Sequence, residues 1–144
     1  MSAVNVLFLC TGNSARSQMA EGFARRYGPP GVRFYSAGLE PIGLNPRAVA
    51  VMREAEVDIS GQHSKSLDEV SADQMELVIT LCGDAAERCP IFPREVERRH
   101  WPLRDPARAD GSDDEVLRVF REVRDEVRER VRRLCDELAQ APRA

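Results

Sequence analysis

Long apolar runs are missing from this chain of 144 residues. Nothing in it approaches the roughly 20 consecutive apolar residues of a membrane span, so no membrane association is expected. The N-terminus carries no basic leader, and its apolar run Val6-Leu7-Phe8-Leu9 is too short for a signal peptide. A soluble cytoplasmic protein is the expectation. Histidine is scarce, with two residues, and no Cys-x-x-Cys occurs, which argues against a structural zinc site. Excess charge is missing too. The 21 Lys and Arg against 24 Asp and Glu leave a net charge of −3, with no footprint of a nucleic-acid or membrane partner. Internal repeats and low-complexity tracts are absent from the sequence. What remains is one domain spanning residues 1–144, long enough for a proper core and expected to be a monomer. In a reducing compartment its four cysteines read as thiols or catalytic groups rather than structural disulfides.

One stretch organises the rest. Cys10-Thr11-Gly12-Asn13-Ser14-Ala15-Arg16-Ser17 follows the apolar run and opens a helical segment, Gln18 to Ala24. Small side chains at Gly12, Ser14 and Ala15 let such a loop curl so that successive backbone N–H groups point inward. The helix behind it adds unpaired N–H groups and the positive end of its dipole. Arg16 supplies a forked donor that matches a tetrahedral oxyanion. Thr11 to Ser17 therefore read as an oxyanion cradle. Cys10 at its mouth is stabilised as the thiolate, the form in which cysteine is a nucleophile, and Ser17 is placed to donate a hydroxyl to the sulfur. A strand-ending cysteine is also a common small hydrophobe, but the glycine, serines and arginine at these offsets argue against that reading.

Around this stretch the chain alternates strand and helix. Strands are expected at Asn5 to Leu9, Val32 to Ala37, Leu77 to Leu81 and about Val96 to Trp101. A helix from about Ser14 to Tyr27 is stopped by Gly28-Pro29-Pro30-Gly31. Asn45-Pro46 reads as an N-cap with proline at the first helical position, with Val49, Met52 and Ala55 facing the sheet. Ser66 is expected to cap a short helix near Leu67 to Val70. Val116, Phe120, Val123, Val127, Val131, Leu134 and Leu138 recur at three and four, an apolar stripe on a helix from about Asp113 to Gln140. Its other face is Arg and Glu, and Cys135 reads as a partly buried filler beside the stripe. The pattern implies an α/β fold, a three-layer sandwich with a central four-stranded parallel sheet.

Two further pieces bear on chemistry. Cys82 ends the third strand as Cys10 ends the first. If those strands are neighbours, about 4.8 Å apart, Cys82 falls within attacking range of Cys10. Cys89 is seven residues further on, about 10.5 Å along a regular helix, whereas a disulfide needs Cα atoms within roughly 7 Å. Cys82 and Cys89 could pair only if that segment unwinds, and both could equally be packing cysteines. Asp105-Pro106 holds a carboxylate in a stiff loop where it could protonate a departing oxygen; an isolated Asp-Pro is more often a turn. His63 and His100 have no visible partner and are the weaker acid candidates.

Taken together, Cys10 to Ser17, Cys82, Cys89 and Asp105-Pro106 resemble the thioredoxin-coupled arsenate reductases, relatives of the low-molecular-weight protein tyrosine phosphatases. The similarity covers nearly the whole chain, including Gln18-Met19-Ala20-Glu21-Gly22, Tyr35-Ser36-Ala37-Gly38 and Asn45-Pro46. It implies reduction of arsenate to arsenite, with phosphate or sulfate as competing oxyanions. Cys10 would attack arsenate held by the loop and Arg16 while Asp105 protonates the leaving oxygen. A Cys10–Cys82 disulfide would follow, then a Cys82–Cys89 disulfide re-reduced by thioredoxin, with NADPH and thioredoxin reductase behind it and no bound cofactor. The chain departs from the family at Ala15, where many members carry another cysteine, and at a potassium site beside the loop that would use Asn13 and Ser36. His63 and Lys65 stand at its remaining positions. The Lys65 ammonium could replace the cation and tether Asn13 directly, or point into water; no bound metal is expected. Two alternatives stay open. One is a plain phosphatase using Cys10, Arg16 and Asp105, although Ala107 offers no ring to stack on a phenol. The other is a non-catalytic oxyanion or redox sensor.

Overall fold

The computed structural model describes residues 4–83 and 96–140. Four strands, β1 (Val4–Cys10), β2 (Val32–Gly38), β3 (Leu77–Thr80) and β4 (Glu97–His100), form one parallel sheet in the order β2-β1-β3-β4. The main helices are α1 (Arg16–Tyr27), α2 (Pro46–Glu54) and α3 (Asp113–Gln140), with short 3-10 turns at Leu67–Glu69, Ala72–Gln74 and Pro106–Arg108. Together they make an α/β sandwich.

The central position of β1 accounts for its sequence. Val6, Leu7, Phe8 and Leu9 are each fully buried, as a strand with neighbours on both edges and cover on both faces must be. The edge strand β4 instead carries Glu97, Arg98, Arg99 and His100, largely exposed or half-buried. Helix α1 packs on β1, β2 and α3, through buried Met19, Ala20, Phe23 and Ala24. The stripe on α3 is buried from Val116 to Leu134, whereas Leu138 is only partly covered. Cys135 is 3% exposed, part of the stripe rather than a flanking filler. Beyond the stripe, Arg121 and Arg124 grip Glu54 at 2.8 and 2.9 Å and tie α3 to α2.

Several boundaries and faces differ from the sequence pattern. Helix α1 begins at Arg16, not Ser14, because residues 11–15 are used in the loop that precedes it. On α2 the buried face is Ala48, Val51 and Met52, so Met52 faces inward as expected but Val49 and Ala55 do not. Val49 and Ala55 lie partly covered on its flanks, because the spacing of three and four that defines one helical face runs through 48, 51 and 52. Asn45 is the N-cap, its side chain accepting the Arg47 N–H at 2.8 Å, with Pro46 first in the helix. The short turn after Ser66 is closed by Glu69, whose carboxylate accepts the Ser66 N–H at 2.8 Å.

Candidate active site

Sequentially connected strands lie on opposite sides of β1: β2 on one edge, β3 on the other. A parallel sheet that winds both ways from one strand opens a crevice at the carboxyl ends of its central strands. The carboxyl end of β1 is Cys10, and Leu9 pairs with Thr80, which sets Cys82 two residues beyond that pair. A cleft of about 800 Å³ opens there, lined by Cys10, Arg16, Ile42, Cys82, Asp105 and Arg108 among others.

Residues 11–15 turn from β1 into α1, and almost every carbonyl of the turn is held from outside. Leu39, Glu40, Ile42 and Asn45 donate their backbone N–H groups to the carbonyls of Cys10, Thr11, Gly12 and Ser14 at 3.2, 2.8, 3.1 and 3.0 Å. Ser64 Oγ adds a second bond to Gly12 at 3.0 Å, and Gln18 Nε2 reaches the Asn13 carbonyl at 3.0 Å. With the carbonyls committed outward, the N–H dipoles of the same peptides are turned toward the cleft. Segment 39–45 is thus the outer strap of the cradle. Close approach permits it: a Cβ on Gly38 would lie 2.8 Å from both Asn13 N and Thr11 O, so only glycine fits there.

Asn13 is the keystone. It has φ 46°, a left-handed conformation that asparagine tolerates better than most residues, and it is fully buried. Its backbone N–H points at Cys10 Sγ at 3.3 Å, and its Nδ2 donates to Ser17 Oγ at 2.8 Å. Ser17 Oγ in turn lies 2.8 Å from Cys10 Sγ. Because Asn13 already donates to Ser17, the serine hydroxyl proton is left for the sulfur. Two hydrogen-bond donors therefore converge on a sulfur that is 2% exposed.

Behind Asn13 stands a second layer, in which the sequence points to Ser36, His63 and Lys65 but not to the roles of Gln18, Glu21 and Gln62. Asn13 Oδ1 accepts the backbone N–H of Lys65 at 2.8 Å and Gln18 Nε2 at 3.0 Å, and Gln62 Nε2 donates to Gln18 Oε1 at 2.8 Å. Lys65 does not point into water, and of the other reading only the direct tether to Asn13 fails. Its amide rather than its ammonium holds Asn13. Its Nζ, on a side chain only 13% exposed, lies 3.3 Å from Glu21 Oε1 and from the His63 carbonyl and 3.5 Å from Ser36 Oγ. Glu21 also accepts from Ser36 Oγ at 2.5 Å. For Glu21 the hint in the sequence is its place, an acid within the apolar run of α1. Among the described residues no group of three or more His, Cys, Asp or Glu side chains is arranged to hold a metal ion.

Arg16, the first residue of α1, turns its guanidinium toward the opposite wall. Nη1 donates to the Leu103 carbonyl at 3.1 Å and Nη2 lies 3.5 Å from Asp105 Oδ2. Asp105 caps the 3-10 turn, its Oδ1 accepting the Ala107 N–H at 3.0 Å. Cys82 is 8% exposed, and its sulfur lies 3.2 Å from Thr11 Oγ1. Cys10, Arg16, Cys82 and Asp105 thus line one cleft, whereas Cys89 lies outside the described residues. Of the two histidines, His100 pairs with Thr80 Oγ1 at 2.9 Å through Nδ1, and His63 lies 3.9 Å from Glu69 on an exposed surface. Cys135 sits on α3, where burial pushes its thiol up to about 11 with a smaller push from Asp136.

The sequence matches the low molecular weight phosphotyrosine protein phosphatase family over residues 5–143. It is 51% identical over 136 residues to an arsenate reductase of Bacillus licheniformis, covering 94% of this chain and 98% of that one. Among solved structures, an arsenate reductase in a phosphate-binding state is similar at 39% identity with a TM-score of 0.75, covering 93% of this chain and 98% of the other. A thioredoxin-dependent arsenate reductase of Corynebacterium glutamicum is similar at 28% identity and TM-score 0.74, covering 96% of this chain and 64% of the other.

Proposed function

The chain belongs to the low molecular weight phosphotyrosine protein phosphatase family, and we propose that within it this enzyme is a thioredoxin-coupled arsenate reductase of the cytoplasm, a single domain over residues 1–144 acting as a monomer. The observation that carries the reading is one cleft shared by two thiols. Cys10 Sγ lies under the hydroxyl of Ser17 and the amide of Asn13, and Cys82 follows the adjacent strand.

Arsenate enters the cradle and its oxygens take the inward amides of residues 11–17, with Arg16 turning from Leu103 to clasp it. The Cys10 thiolate attacks arsenic, an As–O bond breaks, and Asp105 gives its proton to the departing oxygen, which leaves as water. The Cys82 thiolate then attacks the Cys10 sulfur. The S–As electron pair passes to arsenic, As(V) becomes As(III), and arsenite leaves a Cys10–Cys82 disulfide. Cys89 attacks Cys82, releasing Cys10 as thiolate, and the Cys82–Cys89 disulfide is reduced by a dithiol donor. Two electrons enter arsenic and two thiols become one disulfide, so no bound cofactor is required.

Two observations favour this over a phosphatase confined to Cys10, Arg16 and Asp105. Cys82 lines the cleft with them, and among the described residues the opposite wall at Ala107 offers no ring to hold a phenol. The test is arsenate-dependent NADPH oxidation with thioredoxin and thioredoxin reductase, on the wild type and on Cys89→Ser. Turnover that collapses in the variant supports the three-thiol relay. Turnover that survives makes Cys89 structural. An enzyme that cleaves para-nitrophenyl phosphate and ignores arsenate would be a phosphatase.

A further inference from the structure

On the rim of the cleft one cation has no part in the chemistry above. Arg108 closes the 3-10 turn that Asp105 caps, its side chain is 88% exposed, and it lines the cleft beside Ala107. Its Nε lies 3.7 Å from Asp105 Oδ2, the same oxygen that Arg16 Nη2 approaches at 3.5 Å. Two guanidinium groups therefore share one carboxylate oxygen, and the other oxygen is taken by the Ala107 amide.

That arrangement conflicts with what the site must do. A carboxylate with one oxygen between two guanidinium groups and the other on a backbone amide has neither oxygen free to meet a departing group. It also repels an entering oxyanion. Both difficulties are removed if the oxyanion takes the guanidinium groups for itself. Arg16 is committed to such an exchange by its place at the cradle. Arg108, exposed on a long flexible stem, can follow at little cost.

We propose that Arg108 is a second oxyanion ligand. In the empty site it rests on Asp105, and when a tetrahedral dianion is seated it moves to the oxygens that face the cleft mouth, leaving Asp105 free to carry the proton. The inference deepens the reading of this site as an arsenate cradle and of Asp105 as its acid. Arg108 then acts on the substrate directly, and its contact with Asp105 belongs to the empty site.

The experiment is calorimetric binding of inorganic phosphate, which needs no turnover and so separates failure of this inference from failure of the reductase reading. Arg108→Ala should weaken phosphate binding about five- to tenfold, the loss of one charge-assisted hydrogen bond at a solvent-open position. Arg108→Lys should recover most of it. In an Asp105→Asn background, where no carboxylate competes for the guanidinium, phosphate should bind more tightly and the Arg108→Ala penalty should grow. With arsenate as substrate, Arg108→Ala should raise KM in parallel with the phosphate Kd and leave kcat within about twofold. Phosphate binding unchanged within twofold in Arg108→Ala would overturn the proposal. A penalty of the same size with and without the Asp105 carboxylate would overturn the exchange between the two sites.

Discussion

Cys10 and Cys135 are buried almost equally, 2% and 3% exposed, yet their surroundings prepare opposite chemistry. Cys135 lies on the apolar stripe of α3 within the hydrophobic core, and burial pushes its thiol up to about 11. Cys10 has an amide and a hydroxyl directed at its sulfur and an inward-facing amide loop beside it. Burial by itself makes a thiol inert, because the thiolate loses its water and gains nothing in exchange. Burial inside a ring of donors replaces that water with fixed dipoles.

The largest test of that contrast is to delete each sulfur in turn. Cys10→Ser should abolish arsenate turnover, whereas Cys135→Ala should leave kcat/KM within about twofold; equal losses in steady-state assays would refute the contrast. The next effect falls on the donors. Ser17→Ala removes the hydroxyl at 2.8 Å from Cys10 Sγ and the acceptor that holds Asn13 Nδ2. It should lower kcat/KM by about ten- to a hundredfold, the worth of a hydrogen bond to a charged atom. Unaltered kinetics would assign the activation to the loop amides alone.

Further from the sulfur, the effect becomes one of stability. Lys65→Met leaves Glu21, 3% exposed, without its nearest ammonium, although Ser36 and Arg25 still reach it. The variant should unfold about 2 kcal/mol more easily in urea, a fraction of the usual cost of stranding a buried charge; a wild-type midpoint would mean that the pair contributes nothing net. The smallest effect belongs to Cys135. The unfolded thiol ionises near 9.0 and the native one near 11. Between those values the unfolded state binds fewer protons, so this group makes stability fall as pH rises across that window. Below about pH 9 it contributes no slope. Cys135→Ala should flatten that part of the alkaline unfolding curve, and an identical curve in the variant would contradict the shift.

Much of this was legible along the chain. The four strands, the three helices, the Asn45-Pro46 cap and the α3 stripe rest on periodicity and local capping, both properties of short windows. The loop from Cys10 to Ser17 announced itself because its small residues and arginine at those offsets are expensive to explain otherwise. Less legible were faces and edges. Val49 and Ala55 look like core residues by hydrophobicity, and only the packing of α2 on α3 and α1 decides that Ala48 and Val51 point inward. Cys135 read as marginal because cysteine carries a weak hydrophobic signal, although it is packed as tightly as its neighbours. Lys65 was ambiguous for a different reason: an ammonium is as much at home in water as beside a buried carboxylate until the carboxylate's position is known.

The sequence by itself determined the cysteine–arginine loop, its place between a buried strand and a helix, and the second strand-ending cysteine. Local sterics and apolar patterning act over a few residues, so these can be read from a window. Tertiary structure alone decided that β3 lies against β1, which turns two strand-ending cysteines into neighbours in one cleft. It also decided that the 39–45 segment straps the loop carbonyls outward, that the Lys65 amide rather than its ammonium holds Asn13, and that Asp105 rests between two arginines. Each of these joins residues distant in the chain, and no local preference encodes such a contact; it exists only because burying the strands and helices together brings those backbones within hydrogen-bonding range.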